Sequence, residues 1–176
     1  MKNKDKKIIF IVIRYLVLLV LALSLAFFYK ILTPLTIYST AGLLKILYQV
    51  SVSGDIISVS NIFIQIIPAC VAGSAYLLLL ILNLLTSMRL KQRIYSILFS
   101  IVLLFVLNVL RIFFLTILLV NDFKFFDFTH KLFWYVLSTI FVVGIWFLTI
   151  KLFKIKKIPA YSDMKFLIKE IKRGKK

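Results

Sequence analysis

The sequence predicts an all-α polytopic membrane protein with about four transmembrane helices, an amphipathic helix and a small extracytoplasmic β-hairpin. Of its 176 residues, 62% are hydrophobic and 16% are charged, whereas a soluble domain has about 45–50% apolar and about 25% charged residues. The apolar residues form runs of the ~20 residues that a helix needs to cross a bilayer. Most Lys and Arg side chains flank these runs, as is typical beside membrane spans. No internal repeat or low-complexity linker divides the chain, so we expect residues 1–176 to form a single integral membrane domain.

The first predicted span is residues 8–29, which follow a basic start. This apolar run is longer than the ~7–15 residues of a signal peptide, and it lacks an A-x-A cleavage site. We therefore expect a retained helix, in which the side chain of Arg14 extends toward the basic side of the membrane.

Residues 30–69 are predicted to form a cap outside the membrane. An amphipathic helix is expected after Pro34, lying at the interface or against the bundle. Ser53, Gly54 and Asp55 are turn formers between β-branched flanks, which predicts a hairpin. An open hairpin has unpaired edge groups that hydrocarbon cannot satisfy, so this segment is expected outside the bilayer core.

Three further spans follow, at residues 70–87, 94–120 and 131–152. A short basic loop, residues 88–93, separates the first two of these spans. A loop that contains Asp122 and Asp127 precedes the last span, and a basic tail, residues 153–176, follows it.

The distribution of Lys and Arg predicts the orientation. Of the 23 basic residues, four lie in the N-terminal segment, three in the loop at 88–93 and ten from Lys151 onward. Only four, Lys30, Lys45, Lys124 and Lys131, lie on the opposite side. Because basic loops remain in the cytoplasm, we expect a protein of the cell membrane with both termini cytoplasmic and with the cap on the outer face.

The net charge of +17 also raises the question of nucleic acid. The basic residues flank spans and do not form a basic face interleaved with exposed aromatic side chains, so no nucleic-acid partner is predicted. One cysteine cannot form an intramolecular disulfide, and no cluster has the spacing of metal ligands. The sequence therefore predicts neither a metal nor a cofactor.

Four polar residues are candidates for chemistry: Cys70, Asn108, Arg111 and His130. The predicted topology puts Cys70 and His130 at the outer ends of the second and fourth spans. Arg111 lies nine residues before the outer end of the third span, about 14 Å along the helix. Asn108 is one turn earlier, so the two side chains share a face. The topology thus directs a thiol, a guanidinium and an imidazole toward one outer pocket.

Each of these residues also has a structural interpretation. Cys70 alone is typical of a small buried hydrophobe, Arg111 with Asn108 fits a polar clamp between helices, and His130 fits an interfacial position. Together they supply a nucleophile, a proton carrier and a fixed positive donor, which acyl transfer through a thioester requires. A helix start at Pro68 and a nearby cation would both favour the thiolate of Cys70.

These residues lie in segments that resemble the exosortase/archaeosortase family: P-A-C-V-A-G at 68–73, N-V-L-R-I at 108–112, and the single His130 at the start of the last span. The resemblance covers about residues 33–150. It implies a polytopic membrane cysteine transpeptidase whose Cys, Arg and His are Cys70, Arg111 and His130. It also implies a substrate with a C-terminal sorting signal, made of a short motif, a transmembrane helix and a basic tail. Members of the family cut this signal on the outer face and commonly pass the protein to a lipid or another acceptor.

Two features depart from the family pattern. Many members have Ser or Thr and then Gly directly after the Cys, whereas this chain has Val71, Ala72 and Gly73. Many members also have more spans. The sequence leaves open whether Val71, in place of the usual hydroxyl, alters the activity.

The resemblance and the residues together predict a membrane cysteine protease or transpeptidase. His130 would activate Cys70, and Arg111, placed by Asn108, would stabilise the oxyanion. Asp127, three residues before His130, is the candidate to orient it. The expected partners are the bilayer, a membrane-anchored protein substrate and a lipid or other acceptor. The alternative is a non-enzymatic assembly factor or small transporter subunit, in which Arg111 is structural.

Overall fold

The computed structural model of the protein describes residues 9, 12–13, 15–20, 25–86 and 88–155. Within the predicted first span, residues 15–20 are helical. Much of that span, including Arg14, lies outside the described residues, as do residues 156–176 of the predicted tail.

The described chain is mostly helical. Its helices are α1 (Leu25–Leu44), α2 (Pro68–Val71), α3 (Gly73–Leu85), α4 (Leu90–Val120), α5 (Phe126–Leu132) and α6 (Ser138–Leu152). A π-helical turn, Phe133–Leu137, joins α5 to α6, so the last two helices form one continuous rod.

Three stretches of the described chain are long and apolar enough to cross a membrane: Pro68–Leu85, Leu90–Val120 and Phe126–Leu152. They overlap the spans predicted at 70–87, 94–120 and 131–152. Helix α4 has 31 residues and is therefore about 46 Å long, compared with about 30 Å for the hydrocarbon core. It must tilt or extend beyond the membrane. Its start at Leu90 makes most of the predicted basic loop helical, because Leu, Lys, Gln and Arg all favour helix.

Helix α1 crosses the boundary that the sequence predicted between the first span and the cap. The expected amphipathic helix began after Pro34, but Pro34 lies inside α1. Proline removes one hydrogen bond from a helix interior. The buried face of α1 recurs at helical spacing on both sides of the proline, and this packing holds the helix together: Leu32, Thr36, Ile37, Thr40, Ala41 and Leu44.

The predicted hairpin is the first part of a three-stranded antiparallel sheet. Its strands, in spatial order, are β1 (Val50–Ser53), β2 (Ile56–Val59) and β3 (Ile62–Gln65). The first turn contains Gly54 with φ 61°, as expected from the turn formers at 53–55.

The third strand was not predicted, because its turn carries no glycine. Ser60 and Asn61 have φ of 48° and 68°, the two positive values that a tight hairpin turn requires. Asn tolerates this region well, but Ser-Asn is a weak signal compared with Asn-Gly. The sheet packs on α1 through the buried side chains of Ile57 and Val59.

Buried polar side chains link α3, α4 and α6 at the other end of the bundle. Ser96 Oγ donates to Asn83 Oδ1, and Asn83 Nδ2 donates to the carbonyl of Leu79 at 2.8 Å. Ser100 Oγ lies 3.1 Å from Thr149 Oγ1. Lipid offers no partner to such groups, so these bonds fix which faces of the three helices meet.

Gly73 allows α3 to approach an aromatic ring of α1. A Cβ atom at Gly73 would lie 2.6 Å from Cε1 of Tyr29, which is closer than two carbon atoms can pack. Gly73 is the first residue of α3 and follows the Cys70 turn directly. Its missing side chain therefore sets how closely the Cys70 segment sits against α1.

We expect Gly73→Ala to destabilise the protein by about 1–3 kcal/mol, the usual cost of overpacking. The measurement is unfolding in detergent, by heat or by SDS. Gly144→Ala is the matched control: nothing lies within 4 Å of its added Cβ, and Ala favours helix by up to about 1 kcal/mol. In a Tyr29→Ala background the cost of Gly73→Ala should largely disappear. An equal cost in both backgrounds would contradict the proposed contact.

Candidate active site

Cys70 lies in a one-turn helix between the sheet and the second span. Pro68 opens α2, where its fixed φ and missing N–H are tolerated. Ile67 before it is extended, with φ −79° and ψ 163°. The backbone N–H of Cys70 donates to the carbonyl of Ile67 at 2.8 Å, and the cysteine is free and half-buried. The thiol therefore sits where an extended strand becomes a helix.

The backbone bends immediately after this turn. Ala72 adopts a left-handed conformation, with φ 59° and ψ 34°, between α2 and α3. Glycine adopts this region without cost, whereas an L side chain is strained. Ala72 therefore holds the bend at a conformational cost that glycine would not incur.

The bend leaves the carbonyl of Cys70 free to bind groups outside its own helix. In an uninterrupted helix this oxygen would accept the N–H four residues later. Here it accepts two side-chain donors from α4: Asn108 Nδ2 at 2.9 Å and Arg111 Nη2 at 3.2 Å. These donors are one turn apart and share a face, as predicted. Asn108 and Arg111 thus meet at a shared acceptor, the backbone of the cysteine.

Arg111 connects three helical segments. Its side chain is only 7% exposed. Besides the Cys70 carbonyl, it binds Ser138 Oγ through Nη1 at 2.8 Å. Ser138 Oγ in turn donates to the carbonyl of Phe133 at 3.0 Å, a group in the π-helical turn. Ser138 therefore joins this turn to the guanidinium.

The positive charge of Arg111 has no carboxylate partner within the part of the chain that the structure describes. Its Nε is buried without a hydrogen-bond partner there. A guanidinium has five N–H donors, and the described bonds use two of them. The group therefore keeps donors and an uncompensated charge, both suited to a negatively charged ligand or transition state.

His130 lies on α5, in a column of aromatic rings. Its imidazole stacks with Phe126, with centroids 5.8 Å apart and planes at 6°, and with Trp134, at 6.5 Å and 24°. These residues are four apart, so they share one helix face. Asp127, the candidate to orient His130, is exposed, and no described hydrogen bond joins the two. His130 is also exposed, and its described ring contacts are those with Phe126 and Trp134.

A cavity of about 340 Å³ brings Cys70, Arg111 and His130 together. Its wall is mostly apolar and is formed by the end of the sheet, α2, the second half of α4, α5 and the π-helical turn. The other lining residues are Phe63, Ile64, Gln65, Ile66, Ile67, Ala69, Ile112, Leu115, Thr116, Leu119, Phe126 and Trp134. The cavity combines a thiol, an imidazole and a guanidinium within apolar walls.

Sequence reasoning missed the roles of Trp134 and Ser138. The Trp134 ring lines the cavity beside His130, and Ser138 binds the guanidinium of Arg111. A signal was present, because Phe126, His130, Trp134 and Ser138 are each four residues apart. This spacing predicts that each side chain lies beside the next on the helix surface, with a drift of about 40° per step.

Comparison with known proteins agrees with the resemblance. A family model described as transmembrane exosortase (Exosortase_EpsH) matches residues 4–149. No curated protein and no solved structure matches the chain. Because the family model covers most of its length, this chain belongs to the transmembrane exosortase family.

We expect Asn108→Ala to destabilise the protein by about 0.6–1.7 kcal/mol, the range for hydrogen bonds between membrane helices. Asn121→Ala, at the end of the same helix, is the control. The Asn121 amide is exposed; it donates to the carbonyl of Ile117 at 2.8 Å and makes only a long contact, 3.4 Å, to Tyr48 Oη outside the helix. Asn121→Ala should therefore lower the free energy of unfolding by less than Asn108→Ala does. Because Asn108 and Arg111 share one acceptor, Asn108→Ala and Arg111→Met should be non-additive in a double-mutant cycle. Additive costs in the unfolding measurement would contradict the shared role.

Proposed function

We propose that this exosortase is a membrane cysteine transpeptidase. It cleaves C-terminal sorting signals from anchored surface proteins on the outer face of the cell membrane, through a thioester on Cys70. The observation that carries the proposal is the cavity lined jointly by Cys70, Arg111 and His130. Membership of the exosortase family supports the same class of reaction.

The chemistry begins with the thiol of Cys70. His130 takes its proton, and the thiolate attacks a peptide carbonyl of the substrate. The S–C bond forms and the C=O bond becomes a single bond to an oxyanion. The C–N bond then breaks, and the leaving amine takes the proton from the imidazolium of His130. The product is a thioester between Cys70 and the new C-terminus of the substrate.

The second half of the reaction consumes the thioester. A nucleophile of the acceptor, or water, loses its proton to His130 and attacks the thioester carbonyl. The new bond to the acceptor forms as the C–S bond breaks, and the thiolate of Cys70 is restored. Transfer to a lipid or another acceptor and hydrolysis differ only in this nucleophile.

Arg111 serves this reaction in two ways. Its bond to the carbonyl of Cys70 fixes the turn that carries the thiol. Its charge, unpaired by any described carboxylate, favours both the thiolate and the oxyanion. Asn108 and Ser138 are positioning residues, because they touch the Cys70 carbonyl and the guanidinium. Within an apolar cavity such fixed donors act more strongly than in water.

The substrate is a protein held in the same membrane by its own apolar helix. That helix puts the cleaved bond at the depth of the cavity. It also confines the diffusion of the substrate toward the enzyme to the plane of the membrane. A basic tail keeps the far end of the helix on the cytoplasmic side, where most of the basic residues of this chain are also expected. Both termini are then cytoplasmic, and Cys70 and His130 open to the outer face.

We expect Cys70→Ala to abolish processing, because the thioester cannot form. The probe is a panel of secreted reporter domains, each fused to a C-terminal tail from the same genome that consists of an apolar span followed by Lys and Arg. The co-expressed wild-type chain should shorten at least one reporter, as seen by gel mobility and by mass spectrometry of the new C-terminus. Cys70→Ser should retain less than about one hundredth of the rate, since a serine hydroxyl is a far weaker nucleophile near neutral pH.

The membrane abundance and thermal unfolding of the Cys70 variants should match those of the wild type. Unchanged processing by Cys70→Ala would rule out the transpeptidase. That result would favour a non-enzymatic assembly factor or transporter subunit, in which the buried Arg111 is structural.

A thiol reagent that does not cross membranes tests the orientation. Cys70 is the only cysteine of the chain and is half-buried, so a small reagent added to intact spheroplasts should label it. The control is an Ala160→Cys variant of a Cys70→Ala chain, with its thiol in the predicted cytoplasmic tail. It should be labelled only after permeabilisation. Labelling of Ala160→Cys from the outside would contradict the proposed orientation.

A further inference from the structure

Strand β3 borders the cavity with its edge. Five consecutive residues, 63–67, line the cavity. A strand that presents a face contributes only alternate residues, because successive side chains point to opposite faces. Residues 63–65 of β3 and the two residues after it form an unbroken run, and β3 is the last strand of the sheet; together these observations indicate that the free edge of the strand borders the cavity.

The hydrogen bonds of the sheet identify which backbone groups lie on that edge. The N–H of Ile66 donates to the carbonyl of Asp55 at 2.8 Å, in line with the register that pairs Ile57 with Ile64. Antiparallel strands alternate between residues that bond to the neighbour and residues that do not. Residues 62, 64 and 66 therefore bond toward β2. The backbone groups of Phe63, Gln65 and Ile67 point away from it.

Within the described residues, this edge is short, but residues 62–67 contain no proline and no lysine, and the register with β2 has no bulge. Sheet edges are commonly blocked by proline, by lysine, by a bulge or by a covering helix. Strand β3 reads Ile-Phe-Ile-Gln and pairs regularly with β2. Its described backbone bonds run only to that side. The strand conformation continues through Ile67, three residues before Cys70.

We propose that an extended segment of the substrate, next to the bond that is cut, pairs with the free edge of β3 as a fourth strand. This inference rests on the proposed function and adds how the substrate is held. The donors and acceptors are the N–H and C=O groups of Phe63 and Gln65 and the N–H of Ile67. Pairing of this kind binds the main chain of a peptide, and the alternate side chains then set sequence preference.

The geometry favours a substrate segment over a second copy of this chain. The edge is only four to five residues long, too short to hold two proteins together unaided. A membrane-anchored substrate does not depend on the edge for its affinity, because its own helix already holds it beside the cavity. The edge leads directly into the Cys70 turn, so a paired segment runs past the thiol.

The first test compares the two edges of the same sheet. Phe63→Pro removes an outward N–H of β3 and places a ring on the edge, whereas Phe63→Ala removes only the side chain. Val52, on β1, pairs with Ile57 and has its backbone groups on the opposite edge. Val52→Pro and Val52→Ala are therefore the matched pair.

The readout is the cleavage rate of the reporter tails that the wild-type chain shortens. Phe63→Pro should cut more slowly than Phe63→Ala by about tenfold, the effect of one or more lost backbone bonds. Val52→Pro and Val52→Ala should differ by less than about twofold. Equal rates for Phe63→Pro and Phe63→Ala would overturn the inference, as would an equal loss at the opposite edge.

A second test leaves the enzyme unchanged, in case a proline variant does not fold. Each residue of the reporter segment next to the cleaved bond is replaced in turn by Pro and, separately, by Ala. For each position, the loss of cleavage rate caused by Pro is divided by the loss caused by Ala. Strand pairing predicts that this ratio alternates along the segment with a period of two residues, because only every second N–H faces β3. A ratio without this alternation would overturn the pairing.

The two proposals fail in different ways. If the wild-type chain shortens no reporter, the transpeptidase itself fails. If it shortens reporters, but the Phe63 variants cleave at equal rates and the Pro scan of the reporter shows no alternation, only the strand pairing fails. The wild-type chain could also be a dimer that Phe63→Pro dissociates. If the resulting monomer cleaves the reporters at least as fast as the wild type, the edge is an interface between copies and the inference is wrong.

Discussion

The buried guanidinium of Arg111 is the interaction on which the arrangement of the cavity depends. A cation deep inside a membrane span is costly unless protein groups or a wet cavity surround it. Arg111 meets this requirement with the carbonyl of Cys70 on one side and with Ser138 on the other. These contacts tie α2, α4 and α6 together at one depth. The thiol is therefore held by its backbone, and its Sγ remains free for chemistry.

The bend at Ala72 makes this arrangement possible. A helix that ran straight from Pro68 to Leu85 would use the carbonyl of Cys70 in its own next turn. The left-handed residue ends α2 after one turn and frees the oxygen for Asn108 and Arg111. The strain of one Ala in this conformation is offset by two hydrogen bonds, one of them from a charged donor.

Sequence patterns predicted the features that follow from hydropathy and topology. The apolar runs locate the described spans within a few residues, and the predicted topology directed Cys70, Arg111 and His130 to one pocket. In the structure, all three residues line one cavity. Local geometry was not predictable in the same way. The left-handed Ala72, the Ser-Asn turn before β3 and the continuation of α1 through Pro34 each go against a residue preference, and tertiary packing decides them. The spacing of Asp127 from His130 predicts a role in orienting the imidazole, whereas the described ring contacts of His130 are with Phe126 and Trp134.

The π-helical turn at 133–137 has a consequence for how this region tolerates insertions and deletions. Hydrogen bonds in a π-helix join residues five apart. Ser138, five residues after Phe133, bonds to the Phe133 carbonyl and also to the guanidinium of Arg111. A π-helical turn holds about one residue more than the same rotation of an α-helix. Deleting one residue from 133–137 would therefore relax the turn to α-helix and leave the buried face of α6 directed as before, whereas inserting a residue would rotate α6 by about 100°. This segment thus tolerates the loss of one residue better than the gain of one.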